Sequence, residues 1–295
     1  MHPLNLNQIM LAEGGCVRRR VLTHLSVLLK IGEITVTPND ALRAMRDQTP
    51  LVHCMTNYVA MNIAANAVLA AGASPAMIHA PEEVGDFVPI VGALTINIGT
   101  LSASWLDAML IAARVARDSG VPWVLDPVAH FATPYRATAA QDLLALEPRI
   151  IRGNASEIIA LGGGGSAGKG ADSGDTVSDA QRVATALAGR HGCVVAVTGP
   201  VDVVTDGTRT VSIRGGSDLM PKVTALGCSL TAVMGGYAAV ADPFDATVAA
   251  LLHFAEAGER AAGTAHGPGS FAVGFLDQLH TIRPGDLDES RMTWA

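Results

Sequence analysis

Aromatic side chains are scarce: six Phe, three Tyr and three Trp make up 4% of the 295 residues. So few rings offer no stacking platform for single-stranded nucleic acid. Positive charge is also in deficit, with 20 Lys and Arg against 27 Asp and Glu and a formal charge of -7. That argues against nucleic acid as the main partner, because duplex binding leans on clustered cations. Any phosphate must then be held by backbone N–H groups, a metal or a few placed cations. Cysteine is sparse too. Cys16, Cys54, Cys193 and Cys228 show no CxxC spacing and no histidine cluster at zinc-like intervals. Reduced thiols in a cytoplasmic protein are the simpler expectation.

What is abundant is apolar, with 49% hydrophobic residues and 31 glycines. Residues 48–81 and 223–241 carry no Asp, Glu, Lys or Arg. Both are long enough to raise a membrane question. The first is broken by His53, Asn57, Asn62, Asn66 and Pro75. The second is broken by Thr224, Ser229, Thr231 and the Gly235-Gly236 pair. They read as buried segments of a core, with no membrane partner. Arg18-Arg19-Arg20 before Val21 to Leu29 imitates a signal peptide, but Thr23, His24 and Ser26 interrupt the run. Residues 1–36 read as a weakly specified extension, 37–284 as one domain and 285–295 as a C-terminal tail.

From Val36 onward, short apolar runs alternate with longer amphipathic ones. Strands are expected at 51–55, 75–79, 93–98, 123–126, 149–152 and 194–197, with two short alternating strands at 201–204 and 210–213. Helices are expected at 60–71, 103–119, 155–160, 180–188, 227–240, 245–262 and 270–281. Leu106, Met109, Leu110, Ala113 and Ala116 make one stripe of the second helix. Such alternation predicts an α/β fold with a mostly parallel central sheet and helices on both faces.

Several motifs bear on chemistry. Gly163 to Gly170 nearly fits a phosphate-binding loop. Gly170 stands where a hydroxyl should ligate magnesium, however, and no strand precedes the run, so a surface loop is the better reading. Thr224 to Ser229 opens an apolar helix whose free N–H groups suit a transferring phosphate. The helix field is expected to lower the pKa of Cys228, although an arbitrary buried thiol is more often plain core. Asn154 and Glu157 fit a capping box. At the C-terminal edge of the sheet, Glu157 and Asp126 could instead hold a hydrated magnesium. Thr198-Gly199 ends a strand at that same edge, as a turn or a nucleotide contact. His53 and His79 read as satisfied core histidines.

Taken in order, PLVHCMTN at 50–57, GASPAM at 72–77, NIGTL at 97–101, LDPV at 125–128, IRGNASEI at 151–158, VTG at 197–199, TDG at 205–207, LMPKV at 219–223 and GPGSF at 267–271 resemble the hydroxyethylthiazole kinases. The likeness runs from about residue 38 to 283. It implies a ribokinase-like fold, usually a homotrimer with sites at subunit boundaries. It also implies transfer of the ATP γ-phosphate, with Mg2+, to the alcohol of 4-methyl-5-(2-hydroxyethyl)thiazole for thiamine phosphate synthesis. Carried onto this chain, Met77 and Ala225 would line the thiazole, and Arg152 and Thr198 would contact ATP. Asp126 and Glu157 would organise the metal, and Cys228 would stand beside the substrate hydroxyl.

Three departures matter. Ala225-Leu226 replace a Gly-Thr or Gly-Ala pair, Ala129-His130-Phe131 replace a glycine-containing turn, and Ala64 stands where the family tends to have Thr. A glycine needing positive φ would be missed at 225. The rival readings are a hydroxymethylpyrimidine kinase, a nicotinamide-nucleotide hydrate dehydratase, and a degenerate binding paralogue without turnover.

Overall fold

Apolar runs without alternation become strands covered on both faces. In the computed structural model, which describes residues 35–163 and 174–295, Leu51–Met55 (β1), Ala93–Asn97 (β3), Trp123–Asp126 (β4), Ile150–Asn154 (β5) and Val194–Thr198 (β6) are buried nearly throughout. Parallel strands have this character, because crossover helices cover both sides. Ser74–Ala76 (β2), Val201–Thr205 (β7), Thr210–Arg214 (β8) and Met292–Trp294 (β9) complete the sheet. Among the described residues it has nine strands in the order β2-β1-β3-β4-β5-β6-β7-β8-β9. β2 through β6 are parallel. β7, β8 and β9 turn back antiparallel. Accordingly β8 alternates between buried and half-exposed positions.

The helices are Pro38–Gln48 (α1), Met61–Ala71 (α2), Pro81–Phe87 (α3), Ala103–Ser119 (α4), Pro134–Leu144 (α5), Ala155–Leu161 (α6), Gly174–His191 (α7), Leu226–Ala238 (α8), Pro243–Ala262 (α9) and Pro268–Thr281 (α10). One face of the sheet packs Leu94, Ile96 and Trp123 against Ala108, Met109 and Leu143 of α4 and α5. α8 lies on the other face, against β1, β3 and β4 and between α2 and α9. It sits close because Gly235 has no side chain: a Cβ there would come within 2.5 Å of Thr95 Cγ2 and 2.8 Å of Val52 Cγ1. Gly235 therefore brings helix and sheet together, while Gly236 makes room for Met45 of α1, and the helix runs on through both. Among the described residues no helix is long and apolar enough to cross a membrane.

The expected strand at 75–79 is shorter, at Ser74–Ala76, since residues 77–80 leave the sheet. α1, α3, α5 and β9 were not expected, and α7 begins well before residue 180. β9 falls within the segment read as a tail, and it pairs with β8. The Gly163–Gly170 loop lies, apart from Gly163, outside the described residues.

Candidate active site

Parallel strands deliver their last residues to one edge, and here those residues are polar. Asn97 closes β3, Asp126 closes β4 and Thr198 closes β6. The register puts Asn97 beside Asp126 and Asn154 beside Thr198. Asn57, just beyond β1, donates from Nδ2 to Asn97 Oδ1 at 2.9 Å and to Cys228 Sγ at 3.4 Å. Asn97 Nδ2 donates to Asp126 Oδ2 at 2.7 Å. Thr231 Oγ1 donates to that same oxygen at 2.8 Å. Arg152 reaches it at 3.5 Å and donates to Thr198 Oγ1 at 2.8 Å. One polar string thus runs from Cys228 to Thr198 across the ends of five strands, β1, β3, β4, β5 and β6.

α8 joins the string from above the sheet edge. Its first N–H groups have no side-chain cap, and Ala225 at the N-cap has φ 63°. Gly227 then meets Arg152 so closely that a Cβ would lie 2.9 Å from both terminal guanidinium nitrogens. Unpaired helix amides and a guanidinium facing the same space favour an anion. That space is a cavity of about 530 Å³ whose lining includes Arg152, Thr198, Gly199, Asp218 and Gly227. Another cavity, of about 650 Å³, opens at the opposite strand edge near Arg149 and Cys193. It is remote from this constellation.

The electrostatics partly overturn the sequence-based expectation. Cys228 was expected to be acidified by the helix end, but its pKa is raised, first by burial and then by the negative Asp126. Hydrogen bonds from Asn57 and Asn97 and the charge of Arg152 pull the other way without prevailing. Lost water and the neighbouring carboxylate decide the direction. Asp126, fully buried, is pushed up to about 6 by burial, opposed by Arg152 and reinforced by Glu157. Its Oδ1 is buried without a hydrogen-bond partner.

Glu157 forms the capping box expected of it. Its Oε2 accepts from Asn154 N–H and its Oε1 from Ala129 N–H, both at 2.9 Å. Each oxygen keeps a further lone pair. Met77 lies just past β2, half-buried, and among the described contacts no hydrogen bond ties it to the string. His53 and His79 are only half satisfied: His53 Nε2 lies 2.7 Å from Ile78 O, while His53 Nδ1 and His79 Nε2 have no partner. Sequence reasoning did not single out Asn57, Asn97 or Thr231. A buried asparagine ending an apolar strand was the available signal.

Ala225 and Ala129, with φ 63° and 45°, occupy left-handed conformations that cost an alanine about 1–2 kcal/mol. Ala225→Gly should therefore raise stability by roughly 1 kcal/mol after the added entropy of the unfolded chain. Thermal denaturation checks this, with an unchanged or lowered midpoint as the contrary outcome.

This sheet defines an α/β protein with a ribokinase-like fold. A ribokinase-like superfamily protein from Enterococcus faecalis matches the fold with TM-score 0.59 at 11% identity, over 81% of this chain and 89% of that one. A structure of a hydroxyethylthiazole kinase protein from Pyrococcus horikoshii OT3 matches with TM-score 0.81 and 37% identity, over 88% of this chain and 98% of that one. The chain belongs to the hydroxyethylthiazole kinase family, whose model matches residues 42–284. It is 63% identical over 252 residues to the hydroxyethylthiazole kinase of Roseobacter denitrificans, covering 85% of this chain and 98% of that protein.

Proposed function

We propose that the chain transfers the γ-phosphoryl group of ATP to the primary alcohol of 4-methyl-5-(2-hydroxyethyl)thiazole. A new bond forms between the alcohol oxygen and phosphorus, the alcohol O–H proton is released to solvent, the bond to the β,γ-bridging oxygen breaks, and ADP leaves with that electron pair. The phosphate ester would feed thiamine phosphate assembly. The observation that carries the reading is the continuous string from Cys228 through Asp126 to Arg152 and Thr198, opening on a cavity below unpaired helix amides. Phosphoryl transfer needs positioning and charge stabilisation more than covalent chemistry.

Arg152 and Thr198 bind the phosphate chain of ATP, and the α8 N–H groups receive charge developing on the transferring group. Met77 and Ala225 line the thiazole side. Cys228, a neutral thiol at pH 7, orients the substrate hydroxyl. A strong base is not required, because little charge builds on the attacking oxygen in a loose transition state. The residues present fit a magnesium ion. Asp126 Oδ1 is an unpartnered buried carboxylate oxygen, and Glu157 retains lone pairs beside it. The chemistry Mg2+ supplies when bound is neutralisation of the triphosphate oxygens.

The catalytic unit is residues 37–284 of a cytoplasmic protein. Assembly of three copies with sites at subunit boundaries would cover Tyr58 and Val59, which adjoin Asn57 and are 63% and 58% exposed. Cys228→Ala should lower kcat about 10- to 100-fold while the Kd for ATP stays within about threefold. Equal losses in both, in a folded variant, would remove Cys228 from the chemical step.

A further inference from the structure

Each of the two buried asparagines has its amide orientation fixed by backbone groups. Asn57 Oδ1 accepts the N–H groups of Val59 and Ala60 at 3.1 and 3.0 Å. Its Nδ2 must therefore face Asn97 Oδ1 and Cys228 Sγ, one acceptor for each hydrogen. Asn97 Oδ1 accepts Gly99 N–H at 2.9 Å as well as the Asn57 amide. That leaves Asn97 Nδ2 to donate to Asp126. A flip of either amide would set carbonyl against carbonyl or N–H against N–H in a site where Asn57 is 5% and Asn97 2% exposed.

The fit around Asn57 is equally tight. A Cβ on Gly99 would lie 2.6 Å from Asn57 Nδ2, so residue 99 must be glycine for the amide to keep its place. Thr100, with φ 40°, turns the chain there and accepts Tyr58 N–H on its Oγ1 at 3.1 Å. The loop after β3 is thus bound to the loop after β1 at two points, and the sulfur is held by the result.

Resting on the kinase reading, we propose that Asn57 and Asn97 are positioning residues. They form a two-amide cradle that fixes Cys228 Sγ as a hydrogen-bond acceptor and holds it at a set distance from Asp126. The thiol, half-buried next to Gly227, which lines the cavity, is then held ready for the incoming alcohol. Asn57 contributes through the sulfur, and loses its contribution when the sulfur is gone.

The test is a double-mutant cycle on the full chain with ATP, magnesium and hydroxyethylthiazole. Asn57→Ser keeps an oxygen near Val59 and Ala60 N–H but cannot reach the thiol. In the wild-type background it should lower kcat about tenfold or more while the KM for ATP stays within about threefold. In the Cys228→Ala background it should change kcat by less than about twofold. Gly99→Ala, which crowds the amide and leaves Asn57 in the chain, should reproduce the loss and its disappearance without Cys228. It serves also if Asn57→Ser does not fold. Equal losses with and without Cys228 overturn the cradle, since a purely structural asparagine would act in both. Full activity of Gly99→Ala overturns it too. Product from wild type with additive losses sinks this inference alone. No product from wild type sinks the kinase reading and the cradle with it.

Discussion

Asp126→Asn is expected to reduce phosphoryl transfer by about 10²- to 10³-fold or more and to leave a fold at least as stable as wild type at neutral pH. The two effects share one cause. Asp126 is fully buried and its pKa is raised to about 6, so its ionised form is held out of water at pH 7. A carboxyl whose folded pKa lies above the unfolded value of 3.8 favours folding by binding its proton. That contribution is complete below about pH 4 and lost as pH rises through about 6. Asparagine keeps an oxygen for Thr231, Asn97 and Arg152 and does not ionise. The stability advantage of the variant should therefore be small near pH 4 and grow to about 1–3 kcal/mol by pH 7.5. Melting curves at pH 4.5 and 7.5, run beside turnover assays, check both halves. An inactive variant that is less stable at pH 7.5 would mean Asp126 is a structural ion-pair partner.

Arg152→Ala is the second large effect. The guanidinium is 12% exposed, and it joins Asp126 to Thr198 while pressing against the start of α8. Its removal takes away the one cation in that polar string and leaves Asp126 without a counter-charge. We expect the KM for ATP to rise about 10- to 100-fold and kcat to fall with it, a combined loss on the order of 3–5 kcal/mol. Arg152→Lys should recover little, because a point charge cannot span Thr198, Asp126 and a phosphate as a planar fork does. Gly227→Ala probes the same contact from the helix side: its Cβ would displace the guanidinium and should weaken ATP binding in the same direction. Isothermal titration with a non-hydrolysable ATP analogue reads this directly. Undiminished nucleotide affinity in both Arg152→Ala and Gly227→Ala would place the nucleotide elsewhere.

The core of this fold was legible in the sequence because buried parallel strands are apolar without interruption. LVHCM, ALTIN and VVAVT each sit where the runs indicate. The antiparallel pair at 201–214 was legible for the opposite reason, its alternation. α5 escaped because its apolar stripe is weak, and α1 was missed although Ala41, Leu42 and Met45 share one buried face; each opens on a Thr-Pro pair. Thr37 and Thr133 both cap their helices from the side chain, with proline in the first turn. That start signal was present and unused. β9 carried no local sign at all: three residues at a sheet edge are set by the partner strand, not by their own pattern.

The candidate site was legible where a charged or hydroxyl side chain stands at or near a strand end, at Asp126, Arg152 and Thr198. It was not legible where the polar string runs through neutral amides. Asn57 and Asn97 look like ordinary polar stops after apolar runs, and only strand register brings them together between Cys228 and Asp126. The acidity of Cys228 was misjudged because a helix end is visible in a sequence whereas the depth of burial around it is not. Conversely, a missing glycine at 225 can be read from the motif, and Ala225 does take the left-handed conformation, φ 63°, that a glycine adopts without strain.

The most direct measurement is to incubate the purified chain with ATP, magnesium and an equal mixture of hydroxyethylthiazole and hydroxymethylpyrimidine, and to follow the phosphorylated products by mass spectrometry. The thiazole phosphate ester should accumulate with matching ADP, and the pyrimidine should remain unphosphorylated. Phosphate appearing chiefly on the pyrimidine, or ATP consumed with neither ester formed, would contradict the account.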